Sequence, residues 1–120
     1  MTAPRLLLVE DEFLIRLTLS EVLADEGFEV VEAEDSDSAL ALLKAQDPFA
    51  LMLTDIQLPG RFDGRALAEQ ARTTRPDLPV IFMSGRPQTA LSTNPLDTYV
   101  NKPYSPTALT ATVRRILDGD

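Results

Sequence analysis

Cysteine and histidine are both absent from this chain of 120 residues. Without cysteine there is no disulfide, no thiolate metal site and no cysteine nucleophile. Without histidine there is no Ser-His-Asp triad, no histidine-bound zinc and no imidazole general base. Any chemistry that the chain performs must therefore use carboxylates, hydroxyls, amines or a bound metal ion.

Long apolar runs and a positive net charge are absent too. No apolar run is long enough to cross a bilayer, and residues 1–5 lead into the first predicted strand without the apolar stretch of a signal peptide. We therefore expect a cytoplasmic protein that makes no membrane contact. The net charge of −8 repels nucleic-acid phosphates, so direct nucleic-acid binding is not expected.

The residues that are present have the composition of a folded domain. Hydrophobic residues make up 44% of the chain and charged residues 25%, which is typical of a globular protein. The length suits one domain that buries a core of its own. No repeat or low-complexity segment interrupts the chain, so we expect a single domain over residues 1–120.

Apolar runs of strand length alternate with amphipathic stretches of helix length. The predicted strands cover about Arg5–Val9, Glu29–Glu32, Ala50–Thr54, Val80–Met83 and Thr98–Asn101. The predicted helices begin near Glu12, Ser36, Gly64 and Pro106, and the first and third end near Asp25 and Thr74. In the first helix, Phe13, Leu14 and Leu17 are expected to face the core. Ser36 is expected to be the N-cap of the second.

The alternation of strands and helices predicts an α/β fold with a parallel sheet covered by helices on both faces. Right-handed crossovers favour a five-stranded sheet of order 2-1-3-4-5, the doubly wound, flavodoxin-like (βα)5 arrangement. Residues 87–95 have a proline at each end and weak helix formers between. We therefore expect the fourth of the five helices to be short or irregular, or replaced by a loop.

In this topology, charged residues that are distant in the sequence meet at one edge of the sheet. Glu10 and Asp11 follow the first strand, Asp55 follows the third, and Lys102 follows the fifth. The switch point between strands one and three is where open α/β sheets bind their ligands. Clustered carboxylates repel one another unless a positive charge lies among them. Three carboxylates, a lysine and a divalent cation would form a phosphate-handling site.

Four short motifs at strand ends resemble those of the response-regulator receiver domain of two-component signalling. They are Leu-Val-Glu-Asp-Glu at 8–12, Thr-Asp-Ile-Gln-Leu-Pro-Gly at 54–60, Phe-Met-Ser-Gly at 82–85 and Asn-Lys-Pro-Tyr at 101–104. Each motif alone is a weak signal, but all four occur in order over essentially the whole chain. The chain is therefore similar to this family throughout its length.

The resemblance implies a phosphorelay function with Asp55 as the phosphoacceptor. Its carboxylate would attack the phosphorus of a phosphohistidine on a partner, which is a sensor histidine kinase or a histidine phosphotransfer protein. The family's metal is Mg²⁺. Its ligands here would be Asp11, Asp55, Glu10 (directly or through water) and the main-chain carbonyl of Gln57.

The resemblance also assigns phosphoryl contacts and a switch. Lys102, the Ser84 hydroxyl and the Gly85 N–H would each bind a phosphoryl oxygen. Phosphorylation would draw Ser84 toward the phosphoryl group and let the Tyr99 ring turn inward, which changes the surface offered to a downstream protein partner. The domain would catalyse only its own phosphorylation and dephosphorylation, and we expect a monomer or weak dimer.

Three features depart from the usual pattern of the family. The loop over residues 55–64 is slightly longer than in most receivers, the interval 84–102 is shorter, and strand four ends in serine where threonine is commoner. Gln57 and Arg86 stand at positions that tend to tune autodephosphorylation. No output region follows Asp120, so we expect a stand-alone regulator or the receiver of a hybrid kinase. The start at Met1 favours the stand-alone form.

Two functions are alternatives to the phosphorelay. The first is a protein-interaction module that works without phosphorylation, in which the acids have no role. The complete set of acids, serine and lysine argues against it. The second is a phosphatase of the haloacid dehalogenase type, which also uses an aspartate nucleophile. Those enzymes have a second acid two residues after the first, where this chain has Gln57.

Overall fold

A parallel sheet of five strands organises the described part of the molecule. The computed structural model describes residues 3–45, 48–85, 94–102 and 105–119. The strands are β1 (Arg5–Val9), β2 (Glu29–Ala33), β3 (Leu51–Asp55), β4 (Val80–Ser84) and β5 (Asp97–Asn101), in the order β2-β1-β3-β4-β5. The helices are α1 (Phe13–Asp25), α2 (Ser36–Ala45), α3 (Gly64–Ala71) and α4 (Pro106–Asp118). The predicted fold class and strand order are confirmed.

The sheet separates two hydrophobic cores. Leu7 and Met52 point into the core that contains residues of α2 and α3, while Leu8 and Leu53 point into the core that contains residues of α1 and α4. Every residue of β3 and β4 is buried, because helices cover both faces of the sheet. This two-sided burial explains why the central strands are almost continuously apolar.

The predicted core face of α1 is wrong. Phe13 and Leu14 are 62% and 73% exposed, and Leu17 is 37% exposed. The buried residues of the helix are Leu19 and Leu23 instead. The start of α1 is apolar on more than one side, so helical spacing alone did not select the face that contacts the sheet.

The predicted cap of α2 also needs correction. Ser38 donates to Asp35 Oδ1 through its main-chain N–H at 2.7 Å and its hydroxyl at 2.6 Å, so Asp35 is the capping residue. Ser36 is fully buried, and its hydroxyl accepts a hydrogen bond from the main-chain N–H of Phe62 at 3.0 Å. The third helix ends at Ala71, earlier than the predicted Thr74.

The segment between β4 and β5 is only partly covered. The expected short or irregular helix falls mainly on residues 86–93, which lie outside the described residues. Among the residues that the structure does cover, no helix combines the length and apolarity needed to span a bilayer.

Candidate functional site

The ends of β1 and β3 bring three carboxylates together. Leu6–Val9 pair in register with Leu51–Thr54, so the residues that follow on each strand emerge side by side. One carboxylate oxygen from each of Glu10, Asp11 and Asp55 lies within 4.8 Å of the others. The topology therefore brings Asp55 beside Glu10 and Asp11, which are distant from it in the sequence.

Burial perturbs the electrostatics of Glu10. Its side chain is 0% exposed, whereas Asp11 is exposed. Burial raises the pKa of the Glu10 carboxyl above its ordinary value of 4.5, and a hydrogen bond with Asp55 raises it further. The N–H of Glu12, which donates to Glu10 Oε2 at 3.1 Å, acts in the opposite direction.

Lys102 supplies the positive charge among these acids. Its Nζ lies 2.6 Å from Asp55 Oδ1 and 3.5 Å from Glu10 Oε1. Its main-chain N–H donates to the Ser84 carbonyl at 2.6 Å, so the pairing of β4 with β5 fixes the starting point of the lysine side chain. The ammonium therefore places a positive charge directly beside the Asp55 carboxylate.

An open cleft of about 760 Å³ lies above these groups. Its walls include most of the residues predicted from the sequence: Asp11, Asp55, Gln57, Ser84, Gly85 and Lys102. Glu10 is buried beside the cleft. Arg86, a predicted rate-tuning residue, lies outside the described residues. The cleft reaches solvent, so a charged group can approach Asp55 from its open side.

Gly64 supports Asp55 from below, a role that was not predicted. A Cβ built on Gly64 would lie 2.0 Å from the main-chain oxygen of Asp55. The Gly64 N–H donates to the Ile56 carbonyl at 2.7 Å, and Asp63 caps the helix by accepting from Ala66 N–H at 2.9 Å. The first turn of α3 therefore packs directly on the Asp55 peptide. A glycine immediately after an N-cap aspartate was the available sequence signal.

Ser36 fixes the loop that follows Asp55. Its hydroxyl accepts from Phe62 N–H, and its own N–H donates to the Pro59 carbonyl at 3.3 Å. Gly60 has φ +105°, and a Cβ there would lie 2.5 Å from the Ser36 hydroxyl oxygen. The slightly longer loop predicted from the sequence is thus tied to the start of α2.

The comparison with known proteins decides the family. Residues 6–114 match the response regulator receiver domain family. The chain belongs to this family. The receiver is 34% identical over 121 residues to the aerobic respiration control protein ArcA of Escherichia coli K12, an alignment that covers 98% of this chain and 50% of ArcA. Because the chain spans about half the length of this relative, the expectation of a stand-alone, single-domain protein stays a prediction.

Solved receiver structures share the fold closely. A CheY-like receiver domain protein from Methanospirillum hungatei JF-1 superposes with a TM-score of 0.87 at 31% identity, covering 98% of this chain and 95% of that one. The response regulator TrrA of Thermotoga maritima, solved in complex with Mg(2+)-BeF, has a TM-score of 0.79 at 28% identity, with 94% and 98% coverage. The likeness extends over almost the whole of each chain.

Tyr99 of the receiver occupies an aromatic contact on β5. Its ring stacks on Phe82 with centroids 5.1 Å apart and an interplanar angle of 26°. The guanidinium of Arg65 on α3 lies 5.4 Å from the ring centroid, a cation–π contact that was not predicted. Tyr99 is half-buried, and Phe82 is two positions before Ser84 on β4. The predicted switch residue is therefore linked to the cleft through β4.

A second, apolar groove of the receiver adjoins the cleft. It has a volume of about 590 Å³ and lies between α1 and the start of α4. Leu14 and Ile15 line it on one side and Pro106 on the other, while Gly85 and Lys102 belong to both the groove and the cleft. Exposed Leu14 therefore lines a groove that adjoins the charged site.

Proposed function

We propose that the receiver accepts a phosphoryl group on Asp55 from the phosphohistidine of a sensor histidine kinase or histidine phosphotransfer protein, in a reaction that depends on Mg²⁺. The observation that carries this proposal is the setting of Asp55. It stands in an open cleft with the Lys102 ammonium 2.6 Å away and two further carboxylates within 4.8 Å. Membership of the receiver family supports the same assignment.

The donor set fits Mg²⁺. This ion prefers oxygen ligands at roughly 2.0–2.1 Å, so two of its ligands lie roughly 3–4 Å apart. The three carboxylate oxygens, already within 4.8 Å of one another, need only small side-chain rotations to reach that spacing. Asp11 and Asp55 would hold the ion, with Glu10 directly or through water and the Gln57 carbonyl as a further oxygen. Bound Mg²⁺ would neutralise charge between Asp55 and the incoming phosphoryl group.

The chain's own residues account for the transfer. A carboxylate oxygen of Asp55 forms a bond to phosphorus while the P–N bond to the donor imidazole breaks and its electron pair returns to nitrogen. The Lys102 ammonium moves its hydrogen bond from Asp55 to a phosphoryl oxygen. The Ser84 hydroxyl and the Gly85 N–H, which also line the cleft, bind another phosphoryl oxygen together.

The phosphorylated state would be communicated through β4 and β5. Contact with the phosphoryl group draws Ser84 inward, and the Tyr99 ring then leaves its stacked position on Phe82. The surface of β5 and α4 changes shape as a result, and a downstream protein partner recognises the new surface. This is a two-state element biased by a local charge.

The phosphodonor protein would dock on α1. Its phosphohistidine would enter the open cleft, and the rest of the donor would cover the adjoining groove that Leu14 and Pro106 line. Phe13 and Leu14 are 62% and 73% exposed, an apolar area well suited to a helix of the donor. The cleft and the groove share Lys102, so docking and transfer involve one continuous surface.

Phosphorylation with a small-molecule donor tests the proposal. Acetyl phosphate with Mg²⁺ should add one phosphoryl group to Asp55, measured by intact mass and located by peptide mapping. Asp55→Ala should remain unlabelled with an intact fold. Glu12→Gln, which removes another acid from the cleft wall, should still be labelled.

The same experiment separates the other functions. Unchanged labelling of Asp55→Ala would reject the assignment of the acceptor. Failure of every donor, including beryllofluoride, to form an adduct would favour an interaction module that works without phosphorylation. Multiple turnover on small phosphoesters would favour a phosphatase.

A further inference from the structure

Arg16 joins α1, β2 and the turn that follows β1. Its Nη1 donates to the main-chain oxygen of Glu10 at 2.8 Å, and its Nε lies 3.1 Å from Glu32 Oε1 on β2. The side chain is 12% exposed, so the guanidinium is enclosed by these contacts. A planar guanidinium serves two acceptors in a fixed geometry, which a lysine ammonium on a flexible chain does not reproduce.

The carbonyl that Arg16 holds belongs to the peptide between Glu10 and Asp11. The N–H of Glu10 donates to the Ala33 carbonyl at 3.0 Å, so β2 holds one side of this residue and Arg16 the other. The Glu10 side chain is held in turn by the N–H of Glu12. The orientation of this peptide sets the direction in which the Asp11 carboxylate leaves the main chain.

We propose that Arg16 is a positioning residue for the magnesium-binding carboxylates, acting by holding the Glu10–Asp11 peptide against β2. Arg16 contacts neither the metal nor the phosphoryl group, and it acts through the geometry of the turn. The inference rests on the proposed function, in which Glu10 and Asp11 bind Mg²⁺. Loss of a group that orients metal ligands typically weakens metal binding roughly 10–100-fold.

Positioning and simple electrostatics predict opposite results. Removing a cation beside two carboxylates leaves the site more negative, which on charge alone would tighten Mg²⁺ binding. Releasing the Glu10–Asp11 peptide would weaken binding, because the ligands must then be ordered when the ion arrives. Weaker Mg²⁺ binding after loss of Arg16 therefore indicates positioning, and tighter binding indicates a charge effect.

The test is the Mg²⁺ dissociation constant of the full chain, measured by isothermal titration calorimetry without any phosphodonor. We expect Arg16→Gln to raise this constant about tenfold, the lower end of the usual range, because Arg16 holds the main chain of the ligands. Arg16→Lys should weaken binding as well, although it retains the charge. Arg5→Gln is the matched control: Arg5 pairs with Glu29 across the same two strands, and both begin their strands, far from the cleft.

A second measurement distinguishes positioning from general stability. The Mg²⁺ concentration for half-maximal labelling by acetyl phosphate should rise in Arg16→Gln, whereas the rate at saturating Mg²⁺ should stay close to that of the wild type. A lower unfolding temperature with unchanged Mg²⁺ affinity would overturn the inference and leave Arg16 with a structural role only.

The remaining outcomes also test the inference that Arg16 positions the metal ligands. Wild-type affinity in Arg16→Lys, or tighter binding in Arg16→Gln, would overturn the inference in favour of a charge effect. If Arg16→Gln does not fold, the Mg²⁺ dissociation constant of Arg16→Lys is compared with that of the wild type instead. Absence of Mg²⁺ binding by the wild-type chain would reject the proposed function itself, and the inference with it.

Discussion

Glu10 links the electrostatics of the cleft to the stability of the receiver. Its carboxyl is fully buried beside Asp55, and burial raises its pKa above the ordinary value of 4.5. The folded state therefore binds more protons than the unfolded state between the ordinary and the raised pKa. Stability is lost as the pH rises through that window, because the folded protein must ionise a carboxyl that burial disfavours.

Glu10→Gln should accordingly stabilise the metal-free receiver at neutral pH. The amide keeps the size of the side chain and removes the buried negative charge. The unfolding temperature should rise by about 4 °C for each kcal/mol of relieved repulsion in a domain of this size. The measurement is thermal unfolding in the presence of a chelator. The gain in unfolding temperature over the wild type should grow as the pH rises above 4.5. A difference that shrinks with rising pH would contradict this account.

At the level of single helices, the start of α3 constrains Asp55 through Gly64. Gly64→Ala should destabilise the receiver by about 1–3 kcal/mol, because the added methyl would overlap the Asp55 carbonyl. Gly85→Ala is the matched glycine: a Cβ there meets no atom of the described residues within 4 Å, so its free energy of unfolding should be nearly unchanged. Chemical denaturation of both variants is the measurement. Equal stability of the two would show that α3 can move away from β3 at little cost.

The contact between α3 and β5 bears on the switch. Arg65 and Phe82 both contact the Tyr99 ring and stabilise its present position. Arg65→Ala should remove a cation–π contact of about 0.5–1 kcal/mol and so favour the alternative ring position about two- to fivefold. Labelling by acetyl phosphate should become faster by a similar factor. Arg61→Ala is the control, since Arg61 lies over Phe62 instead. Slower labelling in Arg65→Ala would contradict the proposed coupling.

The whole molecule carries a net charge of −8, and three of its acids, Glu10, Asp11 and Asp55, lie within 4.8 Å of one another. Mg²⁺ that binds only the folded state should stabilise it by about 2.7 kcal/mol at a hundredfold excess over its dissociation constant. Thermal unfolding should therefore shift upward with MgCl₂, compared with NaCl at the same ionic strength. The shift should be absent in Asp11→Asn. An equal shift with both salts would indicate general screening instead of a bound ion.

The architecture and the meeting of the acids were predictable because both follow from simple rules. Apolar runs identified the strands, and the carboxyl ends of parallel strands share one edge, which places Glu10 near Asp55. The core face of α1 was not predictable in the same way. Leu14 and Leu19 are equally apolar in the sequence, and only packing against the sheet buries Leu19.

The contacts that support the site were also beyond sequence patterns. The hydrogen bond from Arg16 to the Glu10 carbonyl and that from Phe62 N–H to Ser36 both join side chain to main chain. Such contacts depend on where loops pass in space, and local propensity contains no information about that path. The same holds for Gly64: the glycine after the N-cap aspartate is visible in the sequence, but its close approach to the Asp55 carbonyl appears only in the structure.

The two walls of the cleft are not held equally firmly, because Ser36 anchors one of them by hydrogen bonds. On one side, the loop after Asp55 is tied to α2 and packed on Gly64, so it yields little when a bulky anion arrives. On the other side, Ser84 ends β4 and Lys102 directly follows β5, the edge strand, whose neighbour in the described sheet is β4 alone. When the anion binds, the residues on the side of β4 and β5 are therefore expected to move more than those on the side of α2 and α3. The structural change should then reach the surface at the edge of the sheet.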